Sequence, residues 1–154
     1  KLKWFNREYL KTKDDSVWED IFTPVWPSQG RNAIISLIRE RVATVTEGKF
    51  LLASGEYDYL RTPPLVDQNS LKTPGTLSKT IALLESIPEI DFESTKIKTC
   101  LLPYAEEAGK AEVFWPLRVG LTGRERSPDP FTVASILGKN ETLNRLRKIV
   151  NNAK

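Results

Sequence analysis

Residues Val113 to Phe131, VFWPLRVGLTGRERSPDPF, carry the most legible local structure in the chain. An apolar run, Val113-Phe114-Trp115-Pro116, passes into Leu117-Arg118-Val119 and then Leu121-Thr122-Gly123. The charged tripeptide Arg124-Glu125-Arg126 and the stiff turn Ser127-Pro128-Asp129-Pro130 follow. Asp129 can cap a new helix, with Pro130 in the first helical position, where its missing N–H costs nothing. The stretch is thus a packed helix bearing Arg118, a turn and a second helix. Trp115, directly before a proline, is biased away from helical backbone towards a half-exposed corner. Aromatic rings, arginines and a rigid turn this close together suit stacking on bases and reading their edges in single-stranded RNA.

Outward from this stretch, helical periodicity dominates and alternating strand patterns are scarce. Lys1 to Lys11 places Leu2, Phe5, Tyr9 and Leu10 near one face. Asp15 or Ser16 can cap a second helix with Val17, Trp18, Ile21 and Phe22 as its apolar set. Pro24, Pro27 and Gly30 interrupt, and one helix is then expected from Arg31 to Glu47 with Ile34, Leu37, Ile38, Val42 and Val45 at helical spacing. From Lys49 to Leu60, Gly48 and Gly55 weaken the pattern, with Phe50, Leu51 and Tyr57 as inward candidates. Thr76 or Ser78 opens a helix striped by Leu77, Ile81, Leu84 and Ile87, and Asp91 to Ala108 follows with Ile97, Cys100, Leu101 and Tyr104. Gly109 and Gly138 are C-caps and Asn140 caps the last helix, where Leu143, Leu146 and Val150 face inward while Arg145, Arg147 and Lys148 face water. The expected fold is all-α, in two small helical subdomains. Pro63, Pro64, Pro74 and Gly75 mark the connecting region. The divided chain reads as 1–68 and 69–154.

A hydrophobic fraction of 40% and a charged fraction of 28% fit a globular chain rather than a disordered or fibrous one. No apolar run reaches the roughly 20 residues that span a bilayer, so no membrane contact is expected. Without histidine there is no His-based triad, and with Cys100 alone a structural zinc site and an internal disulfide are both excluded. No methionine is present either, and the chain reads as a fragment of something longer. Its net charge of +3 is uneven: Gly109 to Lys154 holds nine basic and four acidic residues, or +5, against −2 for the remainder. The final third has the electrostatic reason to meet phosphates.

Three ordered segments resemble a known family. Lys1-Leu2-Lys3-Trp4 with Asn6, Tyr9 and Leu10 resembles a KLxWxNxxYI opening. Leu37-Ile38-Arg39-Glu40-Arg41 with Thr44 and Glu47 resembles an LIxxRxxTLxE helix, with Val45 in place of the usual leucine. Phe114 to Gly123 and Ile136-Leu137-Gly138-Lys139 resemble a C-terminal PLRVxLTG…ILGK signature. Together they resemble the C-terminal anticodon-binding region of bacterial-type glutamyl-tRNA synthetases, class I aminoacyl-tRNA synthetases. The stretch Phe22 to Gln29 departs from the family pattern. The family's HIGH-like and KMSKS-like nucleotide motifs are absent, so this chain is expected to bind without aminoacylating. ATP and Mg would belong to a separate catalytic domain, with no cofactor or metal here. The implied partner is the anticodon loop of tRNA-Glu, the implied state a monomer, and the implied location the bacterial cytoplasm or an organelle.

The resemblance implies a role for six residues. Arg118 matches an arginine that contacts anticodon bases; its planar fork suits base acceptors, and an ion pair is the plain alternative. Trp115 would line the anticodon pocket, or else be a core ring that seats the last helices. Ser127, Pro128 and Phe131 would surround the first anticodon base, although Phe131 could equally anchor the helix start. Arg41, expected on the helix beside Ile38, matches the reader of the last anticodon base. Cytosine there offers acceptors O2 and N3 to a donor-only side chain, whereas guanine offers donors. Snorkelling, or pairing with Glu40 or Glu47, is the alternative for Arg41. Arg124 and Arg126 are candidates for phosphate contacts. Two other classes remain open: a helical protein-interaction module, and an enzyme using the adjacent carboxylates Glu106 and Glu107.

Overall fold

The computed structural model describes residues 1–28 and 30–153, so Gln29, at the end of the unfamiliar Phe22 to Gln29 stretch, and Lys154 lie outside the described residues. Among the described residues every regular element is helical and there is no strand. The chain separates into two compact units, Lys1–Arg61 and Thr62–Lys154.

The first unit holds α1 (Leu2–Lys11), a 3₁₀ segment (Asp15–Ile21), α2 (Arg31–Arg39) and α3 (Val45–Ala53). Asp14 caps the 3₁₀ segment by accepting from the Ser16 N–H. Trp18, Ile21, Ile34, Ile35, Ile38, Leu52 and Tyr57 are buried in its core. Each of the buried isoleucines and Leu52 contributes about 1.5–3 kcal/mol of apolar burial. The single helix expected from Arg31 to Glu47 is in fact two, because α2 stops at Arg39. Thr44 caps α3 by accepting from the Glu47 N–H at 3.1 Å, while Glu47 accepts from the Ala43 N–H at 2.7 Å. That Thr-x-x-Glu arrangement, with the carboxylate reaching one residue beyond the cap, satisfies two backbone donors and favours a new helix start over continuation. Gly48 lies inside α3 at a close approach, where an added Cβ would meet Ile38 at 3.2 Å and Trp18 at 3.3 Å. The glycine that weakened the helical pattern is therefore a packing requirement. Phe50 points outward and is exposed, whereas Tyr57 is buried as expected.

The second unit holds α4 (Leu77–Glu85), α5 (Ser94–Ala108), α6 (Lys110–Thr122), α7 (Pro130–Leu137) and α8 (Lys139–Asn152). Short 3₁₀ turns at Gln68–Leu71, Pro74–Thr76 and Glu89–Asp91 lead into them. The stripe Leu77, Ile81, Leu84 and Ile87 is buried throughout. α6 is central, packing against α4, α5, α7 and α8 through Val113, Leu117, Val119 and Leu121. Asp129 caps α7 through the Thr132 N–H at 2.8 Å with Pro130 in its first turn, as the sequence indicated. The last helix begins at Lys139 after Gly138, so Asn140 is not its cap.

Trp115, Pro116 and Arg145 in this unit also depart from expectation. Trp115 and Pro116 lie within α6, not at a corner. A proline inside a helix strands the carbonyl four residues back, here that of Glu112. The hydroxyls of Thr73 and Thr76 donate to that carbonyl at 2.9 and 2.8 Å, which replaces the lost hydrogen bond. Arg145, expected in water, is only 5% exposed. It donates to the Leu121 carbonyl at 3.0 Å and to Glu141 at 2.8 Å, so a backbone acceptor left over at the end of α6 draws the guanidinium inward.

Candidate nucleic-acid interface

In the second unit the end of α6, the turn after it and the start of α7 hold five of the six expected base-contacting residues together. Trp115 and Arg118 are three residues apart on α6 and so share a face. Gly123 ends the helix in the left-handed region at φ 67°, with Pro64 close enough that an added Cβ would sit 2.9 Å from it. The Thr122 hydroxyl donates to the Arg118 carbonyl at 2.8 Å and accepts from the Arg124 N–H at 3.1 Å, folding the chain back. Arg124 and Arg126 are exposed beside Glu125.

Arg118 is half-buried, and its Nη1 donates to the Ser127 carbonyl at 3.4 Å. That distance lies beyond the usual N–H···O range, so the contact aims the fork at the turn without consuming its other donors. The Ser127 hydroxyl donates to the Pro128 carbonyl at 2.8 Å, and both residues are half-buried. Phe131 is 7% exposed and meets Phe114 edge-on, with centroids 5.0 Å apart at 90°. Its ring therefore fastens the start of α7 to α6. Trp115 is half-buried, donates its indole N–H to the Ser70 carbonyl at 2.8 Å, and carries the Lys72 ammonium 3.8 Å from its ring centroid.

Arg41 belongs to the first unit. It lies in the turn after α2 rather than on a helix, its N–H bonded to the Ile38 carbonyl at 2.8 Å. Neither Glu40 nor Glu47 is its partner: Nη1 donates to Glu56 at 2.7 Å and to the Tyr57 hydroxyl at 2.7 Å. These bonds, with Glu56 first and Tyr57 second, hold the guanidinium pKa above its ordinary value. Both use Nη1, which leaves Nε and Nη2 for an incoming acceptor. Arg41 is thus positioned by a buried tyrosine and stays half in water.

The sequence reading missed Lys72, which had no periodic or motif signal. Glu106 and Glu107 are both exposed, and Glu107 pairs with Lys79 at 3.6 Å, so they do not converge on a shared site. Among the described residues no helix is long and apolar enough to cross a membrane.

An all-helical chain presenting arginines, a tryptophan and a proline-stiffened turn on one helix–turn–helix surface has the chemistry of an RNA-binding domain. Residues 3–150 match the family described as anticodon binding domain, and the chain belongs to that family. It is 30% identical over 164 residues to a glutamate–tRNA ligase of Flavobacterium psychrophilum, covering 97% of this chain and 32% of that protein. A glutamate–tRNA ligase of Methylobacterium radiotolerans is 32% identical over 169 residues, covering 95% and 34%. Among solved structures, the glutamate tRNA ligase of Elizabethkingia meningosepticum in complex with its amino acid aligns with a TM-score of 0.76 at 26% identity, covering 99% of this chain and 32% of that one. The chain spans about a third of the length of these relatives.

Proposed function

We infer that this chain recognises the anticodon loop of tRNA-Glu within a glutamate–tRNA ligase. The observation that carries the reading is the family match, combined with Arg118 aimed at the Ser127–Pro128 turn and Trp115 one turn earlier on α6. Arg118, Ser127 and Pro128 surround the first anticodon base, Trp115 offers a stacking face, and Phe131 holds the turn in place. Arg41 reads the last base through Nε and Nη2, favouring cytosine. Arg124 and Arg126 contact the phosphate backbone. Of these residues Arg41 belongs to the first compact unit, Lys1–Arg61, and the others to the second, Thr62–Lys154.

The chain's contribution is binding and specificity: correct bases help place the acceptor end in a distant active site. ATP and Mg act in the catalytic part of the ligase. Among the described residues no three acidic or cysteine side chains are grouped to hold a metal. The ligase is a monomer of the bacterial cytoplasm. Titration of the 154-residue chain with tRNA-Glu at two salt concentrations tests the reading. Binding that weakens as salt rises supports it; a protein-interaction module would show no affinity for the tRNA at either concentration.

A further inference from the structure

Lys72 stands in a backbone conformation that lysine rarely adopts. Its φ and ψ are 59° and −55°, the one positive φ at a non-glycine position among the described residues. The Thr73 N–H reaches the Leu71 carbonyl at 2.6 Å across it, which closes a γ-turn of the rare, strained kind. Such strain persists only where the surroundings over-determine it. Here they do: the Ser70 carbonyl accepts from the Trp115 indole, and the Thr73 and Thr76 hydroxyls both donate to the Glu112 carbonyl. Three backbone or hydroxyl contacts clamp the segment to α6, and none of them uses the Lys72 side chain. Glycine at this position would relieve the strain and keep the clamp. What lysine adds is an ammonium held 3.8 Å from the Trp115 ring centroid. Lys72 itself is exposed and the Trp115 ring beneath its ammonium is half-buried.

We propose that Lys72 and Trp115 form one composite contact for a single nucleotide of the bound RNA: the base stacks on the indole face, and the displaced ammonium takes that nucleotide's phosphate. An exposed ammonium over a half-buried ring is held by only about 0.5–2 kcal/mol, so a base can take the ring face and a phosphate the ammonium. The clamp keeps the ring fixed through its N–H while the flexible lysine stem swings aside. This assignment rests on the RNA-binding reading above and adds to it a phosphate-contact residue outside the helix–turn–helix surface.

The test measures the Kd of the 154-residue chain for a stem–loop RNA carrying the tRNA-Glu anticodon loop, across a salt series. Lys72→Gln removes one phosphate contact, so the slope of log K against log salt should fall by about 0.7, the single-strand value per contact. At about 0.1 M salt this corresponds to roughly fivefold weaker binding. Lys72→Arg should keep the slope. Lys72→Gly should lose binding as Gln does while its thermal stability is equal or higher, which separates the effect from misfolding. In a Trp115→Phe background, which keeps a stacking face, Lys72→Gln should still reduce the slope. If RNA binds and Lys72→Gln leaves the slope unchanged, or Lys72→Arg loses as much as Gln, the assignment is overturned. If the unmodified chain binds no RNA, the functional reading itself fails, and this proposal with it.

Discussion

Arg41→Gln separates a base reader from a structural arginine. Both partners of the Arg41–Glu56 pair are more than a third exposed, at 47% and 36%, so solvent screening leaves the pair roughly 0–1 kcal/mol. The larger structural loss is at Tyr57, a fully buried residue whose hydroxyl accepts from Nη1 at 2.7 Å. Losing that partner costs about 1 kcal/mol, so the total is about 1–2 kcal/mol. The binding effect should be of different size and sign for the two bases. A cytosine loses a charge-assisted donor fork, about 1–3 kcal/mol, or roughly 5- to 150-fold in Kd. A guanine gains, because the glutamine Oε1 accepts where the guanidinium could only donate. The assay is the Kd of the chain for two stem–loops that differ only by C or G at the last anticodon position. Their ratio should fall at least about tenfold in Arg41→Gln. Glu56→Gln provides the control: it breaks the same ion pair but keeps the donors, so the ratio should persist. An unchanged ratio in Arg41→Gln, or an equal collapse in Glu56→Gln, would refute the assignment and leave Arg41 as a partner for Glu56 and Tyr57.

Arg145→Leu keeps most of the buried volume but leaves the Leu121 carbonyl without its 3.0 Å donor and removes the pair with Glu141. The expected loss is about 1–4 kcal/mol, read as an earlier urea midpoint for the unit containing it, and a loss under about 0.5 kcal/mol would contradict the account of α6's end. Thr73→Val with Thr76→Val strips both donors from the carbonyl that Pro116 strands, and calorimetry should show about 1–3 kcal/mol of destabilisation that largely vanishes in a Pro116→Ala background. Arg118→Ala should weaken binding of tRNA-Glu by about 1–3 kcal/mol yet leave affinity for a minihelix lacking the anticodon unaltered. Equal losses on both RNAs would make Arg118 structural.

Local chemistry was readable from the residues; long-range rescue of unpaired groups was not. The Asp129–Pro130 start of α7 and the Leu77–Ile87 stripe follow from short-range rules, and both stand in the structure. The Thr44–Glu47 cap was also present in the chain, but the apolar spacing from Ile34 to Val45 masked it. Pro116 was misjudged because the hydroxyls that accept its consequence lie some forty residues away, at Thr73 and Thr76. Arg145 shows the same limit: helical phase points it to water, and the end of another helix pulls it in. The residues proposed for the site from Trp115 to Phe131 were legible as candidates because the family motif spans them contiguously. Lys72 was not, because strain and a ring 43 positions away (115 − 72) leave no mark on sequence.

The most direct test of anticodon recognition uses two full-length transcripts of tRNA-Glu that are identical except that the anticodon bases of one are replaced. With both held at one salt concentration, the backbone contribution is common to the pair, and only base contacts distinguish them. The account predicts that the 154-residue chain binds the unaltered transcript at least about tenfold more tightly, about 1.4 kcal/mol. Equal Kd values for the two transcripts would contradict it.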